Sequence, residues 1–285
     1  MSPSEPQAER SARNRPTWVG RARQRGGSLL NRLVAPYQDR LLRGAGLTPF
    51  GEYDAQDVFL VSYPKSGSTW LRSLLIGAAF GSDPLLTPFE LFRKLMPFVG
   101  GGSHYARFST PMYFKSHALP QPEYRRAIYL VRDGRDALVS FHHHVQTMRQ
   151  QQIDIEDFVR GKDRYFKHEW HEHVEAWLGN PYGADILTLK YEDLKADPLD
   201  QLRRVCAFLG IARGDDLLRR VVDGSTFDKM RSKEQSDGPA IANWPAGQPF
   251  MRRGQTGSYR DELPEAALSL FMERAEPTLR KCGYL

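Results

Sequence analysis

The stretch "VFLVSYPKSGSTWLRSLL", residues 58–75, constrains the fold more than any other part of the chain. Its first six residues favour a strand, and the run breaks at Pro64. Lys65 and a cluster of small residues follow, and from Trp70 onward apolar residues recur at helical spacing. A strand, a small-residue turn and a helix form the backbone shape that holds an anion at a helix N-terminus. The segment therefore predicts a phosphate-binding turn.

Strand patterns alternate with helical patterns along the rest of the chain. The predicted strands are Val58–Tyr63, Ala127–Arg132, Ile186–Tyr191 and, with a weaker pattern, Met112–Lys115. The predicted helices are Ser68–Phe80, Arg135–Met148, Tyr165–Leu178, Pro198–Leu209 and Pro264–Arg280. This order predicts an α/β fold, with a mostly parallel central sheet flanked by helices and a P-loop-like turn. Such sheets bind ligands beyond the carboxyl ends of their strands.

The length of 285 residues and the 40% of hydrophobic residues fit one large domain, residues 46–285, behind a basic N-terminal extension, residues 1–45. The first 26 residues are polar and Arg-rich, a composition typical of disorder. Apolar residues at helical spacing in 28–43 predict an amphipathic helix with a kink at Pro36. Two interpretations of this helix stay open: peripheral contact with a membrane surface, and docking on the chain's own domain.

Composition also excludes several classes of protein. No run of 18 apolar residues is present, so no transmembrane segment is predicted, and the first residues lack a secretory signal. Cys206 and Cys282 form no disulfide framework, and together these features predict a cytoplasmic protein with reduced thiols. The net charge of +6 suits an anionic ligand but is too small and scattered to predict nucleic-acid binding.

The turn after the first strand differs from that of nucleotide triphosphatases. Gly67 lets the backbone approach an anion, and Ser68 and Thr69 add hydroxyl donors. A nucleotide-triphosphatase P-loop ends in Gly-Lys followed by Ser or Thr, whereas Lys65 opens this shorter turn directly after Pro64. A kinase on a related fold is thus an alternative that the position of the lysine disfavours.

The segment "YPKSGSTW" resembles the phosphosulfate loop of sulfotransferases that use 3′-phosphoadenosine 5′-phosphosulfate (PAPS) and release 3′-phosphoadenosine 5′-phosphate (PAP). Five further segments match that family in order, from "FKSHALP" to "FMRRGQTGSY". The resemblance implies that Lys65 stabilises the leaving phosphate and that His117 is the catalytic base for an acceptor hydroxyl. It implies PAPS as co-substrate without a metal.

The same resemblance assigns nucleotide-binding positions to this chain. The implied residues are Lys65, Ser66, Gly67, Ser68, Thr69 and Trp70 of the turn, then Arg132, Ser140, Tyr191, Ser225 or Thr226, Phe227, Arg252, Arg253 and Gly254. The segment "FMRRGQTGSY", residues 250–259, resembles the closing loop of the family. It ends in Ser258-Tyr259, where the family often has Asp-Trp. The short C-terminal dimer motif of animal cytosolic members is not present, so their dimer is not carried over to this chain.

Residue spacing argues against a metal, and the acceptor stays open. The consecutive residues His142–His144 point in different directions on a helix and cannot share one ion. Acceptor specificity in this family lies in loops, which the resemblance places here at Phe89–Thr110, Val145–Arg164 and Gly238–Gln248. The first of these segments holds Phe89, Phe92, Phe98, Tyr105 and Phe108, and the last holds Trp244.

This aromatic content suits a hydrophobic or ring-bearing hydroxyl acceptor, although the same residues would also pack beneath the loops. A phenol, a sterol-like alcohol, a lipid headgroup and a sugar all remain open. A non-catalytic protein that kept the nucleotide fold is a further alternative. The intact pair Lys65 and His117 argues against it.

Overall fold

A parallel sheet of four strands forms the centre of the computed structural model, which describes residues 34–162, 166–241 and 244–285. The strands are β1 Leu47–Pro49, β2 Val58–Ser62, β3 His104–Ala106, β4 Tyr113–Ser116, β5 Arg126–Val131 and β6 Asp185–Lys190. The central sheet has the order β4-β2-β5-β6, and each neighbouring pair is parallel. β1 and β3 form a separate antiparallel pair. The predicted α/β fold with a mostly parallel sheet is confirmed.

Helices cover both faces of this sheet. The helices of the described residues are α1 at 34–44, α2 Ser68–Phe80, α3 Phe89–Leu95, α4 Gly134–Arg149, α5 Ile155–Val159, α6 Trp170–Gly179, α7 Tyr191–Ala196, α8 Pro198–Leu209, α9 Asp215–Gly224, α10 Phe227–Asp237, α11 Tyr259–Glu262 and α12 Glu265–Lys281. Every residue of β2 is buried, as expected for a strand covered on both sides.

Side chains of β2 alternate between two hydrophobic cores. Phe59 and Val61 pack into the core that also holds residues of α4, α6 and α12. Val58 and Leu60 face the opposite side and pack with residues of α2, α8 and α9. Because successive side chains of a strand point to opposite faces, this single strand anchors both helical layers. The ends of the strands are thereby fixed relative to the helices that begin after them.

The predicted elements agree with the structure except at three places. α2 and α8 have the predicted bounds, and most other predicted strands and helices differ by one residue at each end. The prediction of a helix from Tyr165 is wrong for the described residues 166–169, because the capping box of Glu169 and Glu172 starts α6 at Trp170. The sequences "FVGGGSHYARFSTP", residues 98–111, and "SKEQSDGPAIANWPAGQP", residues 232–249, predict two long loops. They are not continuous loops in the structure, since they contain β3 and the last turns of α10.

The N-terminal extension is described only from residue 34. Residues 34–44 form a helix that includes Pro36, and the side chains of Val34, Tyr37 and Leu41 are exposed on it. The predicted disordered stretch of 26 residues and residues 28–33 of the predicted amphipathic helix lie outside the described residues. Within the described ranges, the helices are too short or too polar for any of them to cross a bilayer.

Candidate active site

One large cleft, of about 1330 Å³, opens at the carboxyl ends of the parallel strands. Each central strand delivers one predicted site residue to it: His117 follows β4, Lys65 follows β2, Arg132 follows β5 and Tyr191 follows β6. Because the strand order is β4-β2-β5-β6, these side chains cross the cleft in that order. The cleft therefore has two halves, one above β4 and one above β5 and β6.

Nearly all predicted site residues line this cleft. Its lining includes Lys65, Gly67, Ser68, Thr69, Trp70, His117, Arg132, Ser140, Tyr191, Ser225, Phe227, Arg252, Arg253 and Gly254. Thr226, the alternative to Ser225, also lines it. Ser66 differs, because its side chain is fully buried beneath the turn. The long-range fold thus brings together segments that are up to about 190 residues apart in sequence.

The turn between β2 and α2 has a backbone shaped for close approach. Lys65 has φ of 66° and Gly67 has φ of 96°, both in the left-handed region. A Cβ atom at position 67 would lie 2.5 Å from Cδ2 of Tyr191, so only glycine fits against that ring. Helix α2 begins at Ser68, and its first N–H groups have no partners within the helix. These features give the turn the geometry of an anion-binding site.

Several buried polar atoms of the predicted nucleotide residues have no hydrogen-bond partner among the described residues. They are Ser66 Oγ, Trp70 Nε1, Arg132 Nε and Ser225 Oγ. Buried polar atoms in folded proteins are normally paired, and an unpaired one is costly. Trp70, Arg132 and Ser225 line the cleft, so a polar ligand with several acceptor oxygens fits their donors, whereas Ser66 lies beneath the turn. The residues present therefore fit a phosphorylated nucleotide in this half of the cleft.

Arg132 connects the turn to the C-terminal closing loop. Its Nη1 donates to the Lys65 carbonyl at 3.1 Å, and its Nη2 donates to the Gln255 carbonyl at 2.8 Å. The guanidinium lies 4.6 Å from the centre of the Tyr191 ring. The residue is buried, with 7% of its surface exposed. Asp136 Oδ2 lies 3.7 Å from Nη2, so two carbonyl oxygens and one carboxylate hold this cation at the edge of the cleft. A buried guanidinium in this position can form a charge-assisted hydrogen bond to an anion.

Two carboxylates hold the closing loop, and neither was identified from the sequence. Asp136 of α4 accepts from the Gly257 N–H at 2.7 Å and from the Tyr259 N–H at 3.0 Å. Glu262 pairs with Arg252, and with Arg253 at 3.0 Å. The two arginines that the resemblance assigns to the nucleotide therefore line the cleft while contacting Glu262. The sequence around Glu262 contains no motif that would predict this long-range contact.

The imidazole of His117 is held in one tautomer. Its Nδ1 lies 2.6 Å from the Ser62 carbonyl oxygen, which only accepts hydrogen bonds, so Nδ1 carries the proton. The lone pair is therefore on Nε2. Burial, and then the neighbouring charge of Lys115, lower the pKa of His117 well below 6.5. The ring is thus neutral near pH 7 and able to accept a proton, as a general base must.

Two lysines share the cleft with this histidine, the half-buried Lys65 and the buried Lys115. Burial, followed by the charge of Arg132, lowers the pKa of Lys65 to about 7, and its Nζ lies 4.0 Å from the centre of the Phe250 ring. Burial also lowers the pKa of Lys115 to about 7, with Arg72 and Lys65 contributing. Lys115 was missed from the sequence. The signal was present, because residues two apart on a strand share a face and His117 follows at that spacing.

Aromatic residues line the half of the cleft above β4, but not all those predicted. Phe98, Tyr105 and Phe108 line the cleft, and the Phe98 ring lies 5.5 Å from that of His117. Trp244 does not line it and is buried, with the His144 ring stacked on it at 5.0 Å. Phe89 and Phe92 are buried in the hydrophobic core instead. They lie on α3, whose side chains pack inward at helical spacing. Of the two interpretations left open for the aromatic residues, packing beneath the loops therefore describes Phe89 and Phe92.

The histidine cluster contacts several separate groups. His142 Nε2 donates to the Ile153 carbonyl at 2.7 Å, His143 lies 3.1 Å from Glu262, and His144 stacks on Trp244. In the part of the chain that the structure describes, no three His, Cys, Asp or Glu residues are grouped so as to hold a metal ion. Cys206 and Cys282 are both buried as free thiols.

Comparisons with known proteins agree with this geometry. The family model described as Sulfotransferase domain matches residues 55–283. Sulfotransferase 1C2 of Oryctolagus cuniculus is 26% identical over 260 residues, which cover 81% of this chain and 86% of the relative. Sulfotransferase 2A6 of Mus musculus is 28% identical over 235 residues, covering 76% and 81%. The crystal structure of retinol dehydratase with retinol and PAP superposes with a TM-score of 0.63 at 21% identity, covering 80% of this chain and 82% of that chain. The chain therefore belongs to the sulfotransferase domain family.

Proposed function

We propose that this protein is an O-sulfotransferase that moves the sulfuryl group of PAPS to an acceptor hydroxyl and releases PAP. The observation that carries the proposal is the placement of Lys65 and His117 at the ends of adjacent strands, over one cleft. The first is a cation in an anion-binding turn, and the second is a neutral base with a fixed tautomer. These are the two groups that transfer from a phosphosulfate to an alcohol requires.

The half of the cleft above β5 and β6 is assigned to the nucleotide. When bound there, PAPS supplies a sulfuryl group on a phosphate that is a good leaving group. Arg132 and Ser140 are placed to bind the 3′-phosphate, with Arg252, Arg253 and Gly254 closing over it. Trp70, Tyr191 and Phe227 offer ring faces to adenine, and stacking on one base contributes about 1–3 kcal/mol. Retinol dehydratase, which has a similar fold, was crystallised with PAP.

The half of the cleft above β4 is assigned to the acceptor. There the acceptor oxygen forms a bond to sulfur while its proton moves to Nε2 of His117. The bond between sulfur and the 5′-phosphate oxygen breaks, and the electron pair leaves with that oxygen. Lys65 and the turn N–H groups stabilise the charge on it, and Lys115 adds a second cation beside the transferring group. These residues mainly position the two substrates and neutralise charge, so the transfer needs no further reactant.

The experiment is an acceptor screen with PAPS, read by mass spectrometry for a gain of one SO₃ unit. Phenols, aliphatic alcohols, sterols and sugars are offered to the wild type, to Lys65→Ala and to His117→Ala. Arg219→Gln, an exposed substitution on α9, is the control for handling and folding. A sulfated product with the wild type and the control, but not with the two site variants, supports the proposal. Binding of ATP–Mg²⁺ in preference to PAP would instead favour the kinase alternative.

A further inference from the structure

Nine Lys and Arg side chains line the cleft. Four of them, Lys65, Lys115, Arg72 and Arg93, are here called the cationic row. The proposed sulfuryl transfer uses the first two. Arg72 is on α2, with 3% of its surface exposed, and Arg93 is half-buried on α3. Neither arginine was singled out from the sequence, and neither takes part in the steps assigned above.

The two arginines converge on one point of the cleft wall. Arg72 Nη2 and Arg93 Nη1 both donate to the carbonyl oxygen of Ala240, at 3.4 Å and 3.5 Å. Both distances are at the long end for a hydrogen bond, so this one oxygen satisfies neither guanidinium fully. The Nε of Arg72 is buried and has no partner among the described residues. Donors are thus left for a further acceptor.

The charge of the buried Glu234 reaches Lys65, but no carboxylate forms an ion pair with the cationic row in the described part of the chain. Glu90 on the same helix as Arg93 pairs with Lys94 at 2.9 Å. Burial, and then the charge of Arg93, lower the pKa of Arg72 to about 10. Like charges gathered in a buried site are unfavourable unless an anion joins them.

The two arginines lie on the acceptor side of the cleft. The chain after α3 runs beside β4, where Phe98 bridges to Lys115 and the Val99 N–H donates to the Lys115 carbonyl at 2.8 Å. The residues assigned to the nucleotide lie across the cleft, after β5 and β6. An anion held by Arg72 and Arg93 would therefore belong to the acceptor and not to PAPS.

We propose that Arg72 and Arg93 bind an anionic group of the acceptor, so that the natural acceptor is a hydroxy compound that also carries a carboxylate, phosphate or sulfate. This inference rests on the proposed sulfotransferase function and names its substrate class. Two guanidinium groups present planar donor pairs that match such anions. The aromatic wall of the cleft, with Phe98 beside His117, leaves room for a carbon skeleton between hydroxyl and anion.

The test compares acceptors that differ only in the anion. The probes are 4-hydroxybenzoate, 4-hydroxyphenylacetate and 3-(4-hydroxyphenyl)propionate, each with its methyl ester, and kcat/KM is measured at saturating PAPS. At the best chain length, the acid should exceed its ester by about 10- to 150-fold in the wild type, the range for charge-assisted contacts. Arg93→Gln and Arg72→Gln should bring that ratio towards one while turnover of the ester is kept, and Arg72→Lys should retain part of it. Arg219→Gln should keep the full ratio.

Equal turnover of acid and ester by the wild type overturns the inference, and so does an equal loss for both probes in the variants, which indicates a structural role only. Binding provides a second readout that needs no turnover. Calorimetry of the PAP-saturated protein should show tighter binding of the acid than of the ester, and Arg93→Gln should abolish the difference. Sulfation of neutral 2-naphthol without any preference for acids would sink this inference alone. A lack of PAPS turnover with every acceptor would count against the proposed function instead.

Discussion

Replacing Gly67 with alanine should damage both the fold and the anion-binding turn. The new Cβ would meet Cδ2 of Tyr191 at 2.5 Å, and φ at this position is 96°. A left-handed backbone costs an alanine about 1–2 kcal/mol. Overpacking against this buried ring adds about 1–3 kcal/mol. We therefore expect Gly67→Ala to lower the free energy of unfolding by about 2–5 kcal/mol.

The same helix provides the matched control. Gly81 ends α2 with φ of 68°, and a Cβ there meets nothing within 4 Å. Gly81→Ala should therefore cost only the backbone contribution, about 1–2 kcal/mol, in urea unfolding. In a Tyr191→Ala background the contact is absent, so the cost of Gly67→Ala should fall to that of Gly81→Ala.

Calorimetry with PAP tests the functional half of this prediction. A turn that is pushed away from Tyr191 has its backbone N–H groups displaced. Loss of one charge-assisted hydrogen bond to phosphate lowers the affinity for PAP by about 10- to 150-fold. Gly81→Ala should leave the affinity for PAP unchanged. The reasoning would be refuted if Gly67→Ala and Gly81→Ala were equally stable and bound PAP as tightly as the wild type.

Four further predictions concern the groups in the cleft. Lys65→Ala should lower kcat by about 10²–10³-fold while the fold persists, because the departing phosphate loses the cation that stabilises it. A wild-type kcat in steady-state assays would contradict this role. His117→Ala should lower the rate of transfer to aliphatic alcohols by about 10²–10⁴-fold, with a smaller loss of rate for acidic phenols and unchanged affinity for PAP. An equal loss of rate for acceptors of different pKa would contradict the role of His117 as a base. Arg132→Ala should lower the affinity for PAPS by about 10- to 150-fold but change little the affinity for the analogue without the 3′-phosphate. If calorimetry shows that both ligands bind equally more weakly, the assignment of Arg132 to the 3′-phosphate is rejected. The pH profile of kcat/KM should fall as the pH rises through about 7, because Lys65 and Lys115 lose their protons there, and should show no acidic limb above 6.5, because His117 stays neutral. A rise between pH 7 and 8 would contradict these protonation states.

Local sequence patterns were sufficient for the parallel sheet and the turn. The run Val58–Ser62 is apolar throughout because helices cover both faces, and Gly67 stands where a ring packs onto the backbone. Segments that depend on tertiary contacts were not predicted. α10 carries few apolar residues and so lacks helical periodicity, and its last turns, residues 232–237, were predicted as part of a loop.

The site followed the same division between local and long-range information. Lys65 and His117 stand in motifs that can be read from neighbouring residues. Arg72 and Arg93 share the carbonyl oxygen of Ala240, which is 168 and 147 residues away from them in sequence. Lys115 could have been found, since it shares a strand face with His117. Glu262 could not, because its role depends on where the closing loop folds back.

The fate of one oxygen atom tests the central claim, transfer of the sulfuryl group itself. PAPS labelled with ¹⁸O in the bridge between phosphorus and sulfur is reacted with any hydroxyl acceptor found in the screen, and both products are weighed by mass spectrometry. Cleavage of the bond between sulfur and the bridging oxygen should leave all the label in PAP, with one sulfated acceptor formed for each PAP. Label in the acceptor product, or PAP formed without sulfated acceptor, would contradict the proposed transfer.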